Sequence, residues 1–375
     1  MAEIGEGVPQ LGFGLMRIPE IEVDGKMAVD IDQTIEMVDI YMNAGMNYFD
    51  TAFGYMNGRN EKAIKEVLTK RYPREDFILA TKLPAWLMNE AEKAKSMFPK
   101  SLERMGVDYV DYYLLHNMGE HRTKVFEDFG IWDFVMEQKE KGLIKHIGFS
   151  MHAKSDELRE ILTAHPEVEF VQLQINWADW ENDTIESRKC YEVAREFNKP
   201  IVIMEPVRGG SLANLPAPVA KVFEEANPEA SQASWALRFV AELPGVMTIL
   251  SGMSTPEQVR ENVELFQNMK PLSAEEKQVI VKAQEELAKL PNVPCTDCKY
   301  CVDECPEGVL IPQAFTCMNI YLTYNNLTSA KEQYSWMTAA GRASACTACG
   351  SCEAVCPQSI EIIDELEKVA EALEA

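Results

Sequence analysis

Eight short apolar runs, each followed by a stretch with helical spacing, restrict the fold of this 375-residue chain more than any other feature. The runs are LGFGLM (11–16), MNYFD (46–50), FILAT (77–81), YVDYYLL (109–115), IKHIGF (144–149), FVQLQI (170–175), PIVIM (200–204) and VMTIL (246–250). Between them lie patterns such as DQTIEMVDIYMNA (32–44) and RNEKAIKEVLTKR (59–71). Strand then helix, eight times over, is the signature of an α/β fold of the (β/α)8 TIM-barrel type. Residues 1–270 are therefore expected to form the barrel. PLSAEEKQVIVKAQEELAKLP (271–291) reads as a helical linker that starts at a Ser273 cap with Glu276 three residues on. Residues 292–375 remain for a small, mainly helical domain that ends in the acidic helix EIIDELEKVAEALEA.

In such a barrel, reactive side chains sit where strands end, at the C-terminal face. The second run ends in Asp50, with Tyr55 five residues on; the third ends in Lys82 and the fourth in His116. A carboxylate, a phenol, an ammonium and an imidazole at one barrel mouth suggest a tuned proton donor. Lys82 beside the phenol is expected to favour the phenolate and lower its pKa, with Asp50 holding Lys82 charged. His116 is expected to orient a carbonyl oxygen or share the proton. Singly, Asp50–Lys82 also reads as a structural ion pair, Tyr55 as a rim aromatic and His116 as a satisfied strand-end histidine. Four such residues at successive strand ends favour the catalytic reading. Trp86 and Trp177 stand between pocket lining and core. Asn117 is a further candidate for the pocket, and Trp132, inside FGIWDFVMEQ, reads as core.

FDTAFGYMNGRNEKAIKEVL, preceded by LGFGLMRIP and followed in order by YYLLHNM, IKHIGFS and SGMSTPEQVRENVELF, resembles the aldo-keto reductase family over residues 8–270. The resemblance implies a catalytic tetrad of Asp50, Tyr55, Lys82 and His116, with Tyr55 as acid. It also implies a nicotinamide cofactor, NADP(H) or NAD(H), lying extended across the barrel mouth. Ser150 and Gln172 would then bond the carboxamide. Glu205, Pro206, Val207, Arg208, Gly209 and Gly210 would follow the pyrophosphate, and Ser251, Gly252, Met253, Ser254, Gln258, Glu261 and Asn262 the adenosine end. The chain departs from the family at Met151, where Asn is usual, and at Met204, where many members stack an aromatic on the nicotinamide. Gly252 and Gln258 stand where NADP-preferring members place Lys and Arg, which leaves Arg208 and Arg260 as the basic residues nearby.

Eight of the ten cysteines fall into two combs near the C-terminus: Cys295, Cys298, Cys301, Cys305 with Pro306, and Cys346, Cys349, Cys352, Cys356 with Pro357. Disulfide scaffolds spread their cysteines along small secreted chains, so these tight combs argue for metal or cluster ligation in a reducing compartment. A zinc site closes one tetrahedron with two C-x2-C pairs, and four cysteines within eleven residues, twice, exceed that need. Both combs have the spacing C-x2-C-x2-C-x3-C-P and are similar to the bacterial ferredoxin run, which implies two [4Fe–4S] clusters. In that run the fourth cysteine crosses to the other cluster. The resemblance therefore implies Cys295, Cys298, Cys301 and Cys356 for one cluster, and Cys346, Cys349, Cys352 and Cys305 for the other. Cys190 and Cys317 read as buried apolar residues.

The formal charge of −24 argues against nucleic acid or anionic lipid as partner, because phosphate binding needs clustered Lys and Arg. No apolar run reaches the ~20 residues of a membrane helix, and the N-terminus lacks the basic start and apolar stretch of a secretory signal. The expected setting is cytoplasmic. Together these features predict an oxidoreductase that interconverts a small-molecule carbonyl and an alcohol with a nicotinamide, coupled to electron transfer through two clusters and a possible redox protein partner. Two alternatives stand beside it: an ordinary carbonyl reductase with structural or sensory clusters, and a non-catalytic electron-transfer subunit.

Overall fold

The computed structural model describes residues 4–119 and 121–375; the first three positions of the segment read for a leader lie outside the described residues. Ten strands form: β1 (Leu11–Gly14), β2 (Glu20–Val23), β3 (Lys26–Val29), β4 (Tyr48–Asp50), β5 (Ile78–Leu83), β6 (Val110–Met118), β7 (Ile144–Met151), β8 (Phe170–Gln174), β9 (Ile201–Met204) and β10 (Val246–Ser251). Eight of them, all but β2 and β3, pair in parallel and close in the order β1-β10-β9-β8-β7-β6-β5-β4. These are the eight apolar runs. β2 and β3 form an antiparallel hairpin outside the barrel that the strand count did not anticipate. Its signal was present: Asp24 and Gly25 occupy the left-handed region at φ 52° and 74°, the Asp-Gly pattern of a tight hairpin turn.

Inside the barrel, Tyr48, Ala80, Tyr112, Leu114, Phe170, Val202 and Leu250 pack into one buried cluster. Gly148 makes room for it, since a Cβ there would stand 2.6 Å from the Phe170 ring. The outer helices follow from apolar spacing and caps. Helix Ile31–Asn43 buries Thr34, Met37, Val38 and Tyr41, and its Asp30 cap accepts from the Gln33 amide. That is the i, i+3, i+4, i+7 stripe of a helix lying on a sheet.

The chain forms two compact units, Met1–Pro206 with Ser234–Leu272, and Val207–Ala233 with Ser273–Ala375. The second therefore takes in more than the cysteine-rich segment. Helix Ala274–Leu287, with the expected Ser273–Glu276 capping box, packs on helix Ala217–Ala226. Their buried residues are Ile280 and Ala283 on one, Val219, Ala220 and Phe223 on the other. The rest of this unit is helical: Tyr300–Asp303, Ile311–Tyr324, Leu327–Ser335, Ser351–Ala354 and Ile362–Leu373. They close over a core that includes Val309, Ile311, Phe315, Ile362, Leu366 and Val369. Among the described residues no helix is long and apolar enough to cross a membrane.

Candidate active site and cluster cavities

In the barrel unit, Asp50 ends β4, Lys82 lies near the end of β5 and His116 near the end of β6. Tyr55 opens the turn Tyr55–Gly58 after β4. The structure brings all four together. Lys82 Nζ donates to Asp50 Oδ1 at 2.5 Å, to the Thr51 carbonyl at 2.8 Å and to Tyr55 Oη at 3.3 Å. The Tyr55 and His116 rings meet edge to face at 5.8 Å. Lys82 is 1% exposed and Asp50 3%, and a buried ammonium needs such a carboxylate partner.

Burial works against the Lys82 cation, yet Asp50 and Tyr55 together outweigh it and hold Lys82 above the ordinary lysine range. Burial raises Tyr55 above the ordinary phenol range, and the Lys82 charge only partly offsets it. The expectation of a lowered phenol pKa is thus corrected, because stripping water from the phenol costs more than the ammonium returns. Tyr55 keeps its proton at neutral pH. Burial, with Lys82, His152 and Arg122 adding to it, pushes His116 well below 6.5, so its imidazole is neutral there.

The turn that carries Tyr55 is built from residues whose role the sequence did not disclose. Phe53 N donates to the Lys82 carbonyl at 3.3 Å. Thr51 Oγ1 donates to Asn60 Oδ1 at 2.5 Å, and Asn60 Nδ2 donates to the Leu15 carbonyl at 2.6 Å. Fully buried Glu61 accepts from Thr81 Oγ1 at 2.9 Å and from Arg104 Nη1 at 3.0 Å. Arg104 also bonds the Phe53 carbonyl and lies over the Phe53 ring at 4.1 Å. The motif NGRNEKA held Asn60 and Glu61 in plain view; only their distant partners show what they hold.

β6 bulges between Leu115 and Met118, with Asn117 at φ 56°, and such a bulge re-aims the side chains beside it. His116 Nδ1 and Asn117 Oδ1 are buried without a hydrogen-bond partner among the described residues. Unpartnered buried polar atoms at a barrel mouth are groups that a polar ligand satisfies. Trp86 is half-buried and donates to the His116 carbonyl at 2.9 Å. Trp177 is fully buried. Trp132 stacks on His165 at 3.8 Å, as a core residue would.

The residues expected at a nicotinamide divide between the units. In the barrel unit Ser150 and Gln172 are register partners on β7 and β8; Ser150 Oγ accepts from the Asn117 amide at 2.9 Å. Gln172 Nε2 donates to Asp50 Oδ2 at 3.4 Å. Met151 is buried. Glu205, at φ 54°, offers its carbonyl to Asn176 Nδ2 at 3.2 Å, and Pro206 ends the segment. Ser251 Oγ accepts from Asn262 at 2.9 Å, and Met253 is buried. Ser254 N donates to Gln258 Oε1 at 2.7 Å, while Gly252 and Glu261 are exposed. Arg260 is tied to Glu36 at 2.6 Å and to Glu257 at 3.4 Å, so its charge is already matched. Val207, Arg208 and Gly209 belong to the second unit.

In that unit the eight comb cysteines wall two cavities. Cys295, Cys298, Cys301 and Cys356 stand around one, and Cys305, Cys346, Cys349 and Cys352 around the other. The grouping is the same as the one that the ferredoxin resemblance implies. All are free thiols. Among the described residues no three His, Cys, Asp or Glu side chains gather tightly enough to hold a single ion; the sulfurs ring volumes. Amides point at them: Val309 N at Cys305 Sγ and Ala348 N at Cys346 Sγ, each at 3.4 Å. Burial pushes the Cys301 thiol up to about 12, whereas hydrogen bonds from Ser351 hold exposed Cys349 below the ordinary thiol range. Cys190 and Cys317 are buried apart from both cavities.

Residues 10–285 match the Aldo/keto reductase family. The chain belongs to that family. Residues 294–361 of the reductase match the 4Fe-4S dicluster domain, which covers both combs and assigns them two [4Fe–4S] clusters. Relatives include an uncharacterized oxidoreductase, YqkF, of Bacillus subtilis, 25% identical over 74% of this chain and 95% of its own. The NADH-specific methylglyoxal reductase of Escherichia coli is 27% identical over 62% of this chain and 83% of its own. Among solved structures, the aldo-keto reductase AKR11C1 from Bacillus halodurans in its holo form superposes with a TM-score of 0.58 at 24% identity, covering 73% of this chain and 91% of that one. An aldo-keto reductase of Klebsiella pneumoniae in complex with NADPH gives 0.56 at 19% identity, covering 74% and 92%. The protein is an oxidoreductase with iron–sulfur clusters.

Proposed function

We propose that the barrel site interconverts a small-molecule carbonyl and its alcohol with a nicotinamide, and that the clusters exchange electrons with a redox protein. The observation that carries the first part is the buried ammonium of Lys82, set between Asp50 Oδ1 at 2.5 Å and Tyr55 Oη at 3.3 Å. Tyr55, protonated at neutral pH, gives its proton to the carbonyl oxygen. Lys82 stabilises the phenolate that this leaves, and Asp50 keeps Lys82 charged and in place. Neutral His116 donates one ring N–H to the same oxygen and fixes the carbonyl's orientation. A bound nicotinamide supplies or accepts the hydride. Ser150 and Gln172 suit its carboxamide, Glu205 to Gly209 its pyrophosphate, and Ser251 to Ser254 with Gln258, Glu261 and Asn262 its adenosine end. The orphaned His116 Nδ1 and Asn117 Oδ1 fit a polar ligand at this mouth.

The test uses methylglyoxal, the substrate named for one relative, with NADPH and NADH. Tyr55→Phe is expected to lower turnover by about 10²–10⁴ while cluster content stays whole. Undiminished turnover in that variant sinks the assignment. For the clusters, the supporting observation is that Cys298 and Cys349 are exposed, which suits exchange with a partner. Two clusters, one electron each, match the two electrons of one hydride. Anaerobic titration with NADPH, followed by EPR, reads whether the nicotinamide reduces them. Clusters that stay oxidised with cofactor bound would favour a structural role.

A further inference from the structure

The two combs are one loop built twice. Each cysteine of the second follows its counterpart in the first by 51 positions (346 − 295), and the backbone repeats with them. Asp297 and Ala348 are left-handed at φ 53° and 55°, Lys299 and Gly350 at φ 66° and 80°. Lys299 and Gly350 each open a four-residue helix, Tyr300–Asp303 in the first comb and Ser351–Ala354 in the second. Positions 300 and 351 are therefore the same place in the same turn. Where two loops share a backbone, a difference between them must come from side chains.

At this place they differ. Ser351 Oγ lies 3.6 Å from Cys349 Sγ, within reach for the larger sulfur atom, and has no other hydrogen-bond partner among the described residues. Its twin is Tyr300, 60% exposed, and Cys298, the counterpart of Cys349, has no hydroxyl partner among the described residues. Both cysteines are exposed, so access to water does not separate them. In the thiol form Cys349 donates and Ser351 Oγ accepts. A thiolate that ligates a cluster has no proton left to give, so the roles reverse and the Ser351 O–H donates to the sulfur. A donor at a thiolate favours the more negative state, and the potential of a cluster answers to hydrogen bonds at its sulfurs.

We infer that Ser351 is a tuning residue: its hydroxyl raises the reduction potential of the cluster that Cys349 ligates, and position 300 does not do the same for the other. This rests on the reading that Cys349 is a cluster ligand, whichever cysteine completes that cluster. The charges beside the cavities act in the opposite sense, with Lys299 on the wall of the first and Glu307 on the wall of the second. Both are exposed and water screens them, while the hydroxyl touches the sulfur itself.

The experiment is an anaerobic redox titration of the full, cluster-loaded chain followed by EPR, with iron and acid-labile sulfide counted for each variant. Two one-electron steps are read. Ser351→Ala is expected to lower the equilibrium constant of one step about fivefold, which is ~40 mV at about 59 mV per tenfold, and to leave the other step in place. Cys349 is exposed, so water replaces part of the lost donor and holds the effect to that size. Ser351→Thr keeps the hydroxyl and is expected to titrate as wild type. Tyr300→Ser gives the first comb the hydroxyl of the second and is expected to raise the other step. Unmoved steps in Ser351→Ala with iron complete, or two steps that fall together, overturn the inference. A fall in Ser351→Thr equal to that in Ser351→Ala overturns it as well. If Ser351→Ala sheds iron, Tyr300→Ser decides: a raised step supports the inference and unmoved steps overturn it. A Cys349→Ser chain that keeps both clusters and both potentials overturns the ligand reading instead, an outcome distinct from the others because Ser351 is intact in it.

Discussion

The barrel mouth and the cysteine cavities solve the same electrostatic problem in opposite ways. At the mouth, the chain supplies both signs itself: Lys82 against Asp50, with Arg104 against Glu61 beneath the Tyr55 turn. Around the cavities, beside Lys299 and Glu307, its donors are thiols, and burial raises Cys295, Cys301 and Cys352 above the ordinary thiol range. The first site is finished by folding. The second is finished by its metal, because a buried thiolate without a cation is costly. The backbone says the same. Positions 297, 299 and 308 of the first comb and 348, 350 and 359 of the second are left-handed, an identical offset of 51 (346 − 295). Only Gly308 and Gly350 among them are glycine; Asp297, Lys299, Ala348 and Ser359 hold a conformation that costs an L-residue about 1–2 kcal/mol.

Several substitutions separate these two modes, beginning with the largest expected effect. Cys356→Ser, in the second comb, is expected to remove the cluster that Cys298→Ser removes, whereas Cys305→Ser behaves like Cys349→Ser. EPR of the four reduced variants sorts them, and pairing by comb instead of by cavity would break the crossed arrangement. In the barrel, Glu61→Gln leaves Arg104 uncompensated in a buried setting and should cost about 3 kcal/mol of stability. The same variant should lower kcat as the Tyr55 turn loosens, with cluster content unaffected; chemical denaturation and iron analysis check both. Gly350→Ala is expected to shorten survival of the clusters under chelator challenge, at about 1 kcal/mol, while Lys299→Gly lengthens it by a similar amount. Opposite signs from two loops of one shape would show that left-handed strain is borne by the metal.

A pH dependence follows from the burial of His116 at the mouth. His116 is held neutral, its folded pKa below the ordinary 6.5, so the unfolded chain binds more protons as pH falls below that value. Stability is therefore full above 6.5 and declines with acidification toward the folded pKa. Replacing His116 by Phe should flatten that part of the melting-temperature profile.

The eight strands and both combs were legible because each is written within a few adjacent residues. That Asp50, Tyr55, Lys82 and His116 gather at one place was legible because a barrel fixes where strands end. What the sequence hid depends on partners far along the chain. Glu61 finds Arg104 only in the fold, and the direction of the Tyr55 pKa turns on how much water the mouth excludes, which no spacing reports. The hairpin at 20–29 carried its Asp-Gly signal, but eight stronger runs already accounted for a closed barrel. Residues 207–233 read as part of the barrel's strand–helix succession, yet helix Ala217–Ala226 packs on helix Ala274–Leu287.

A crossing fourth cysteine would make the clusters into staples. With the cysteines that share a cavity holding one cluster, one inorganic bridge would tie 295–301 to 356 and the other 305 to 346–352, each closing a loop of some fifty residues. Such closure strips entropy from the unstructured chain as a disulfide does, here in a protein whose cysteines are all unpaired. A protease cut within residues 307–345 would therefore leave two pieces that migrate as one until the iron is taken away.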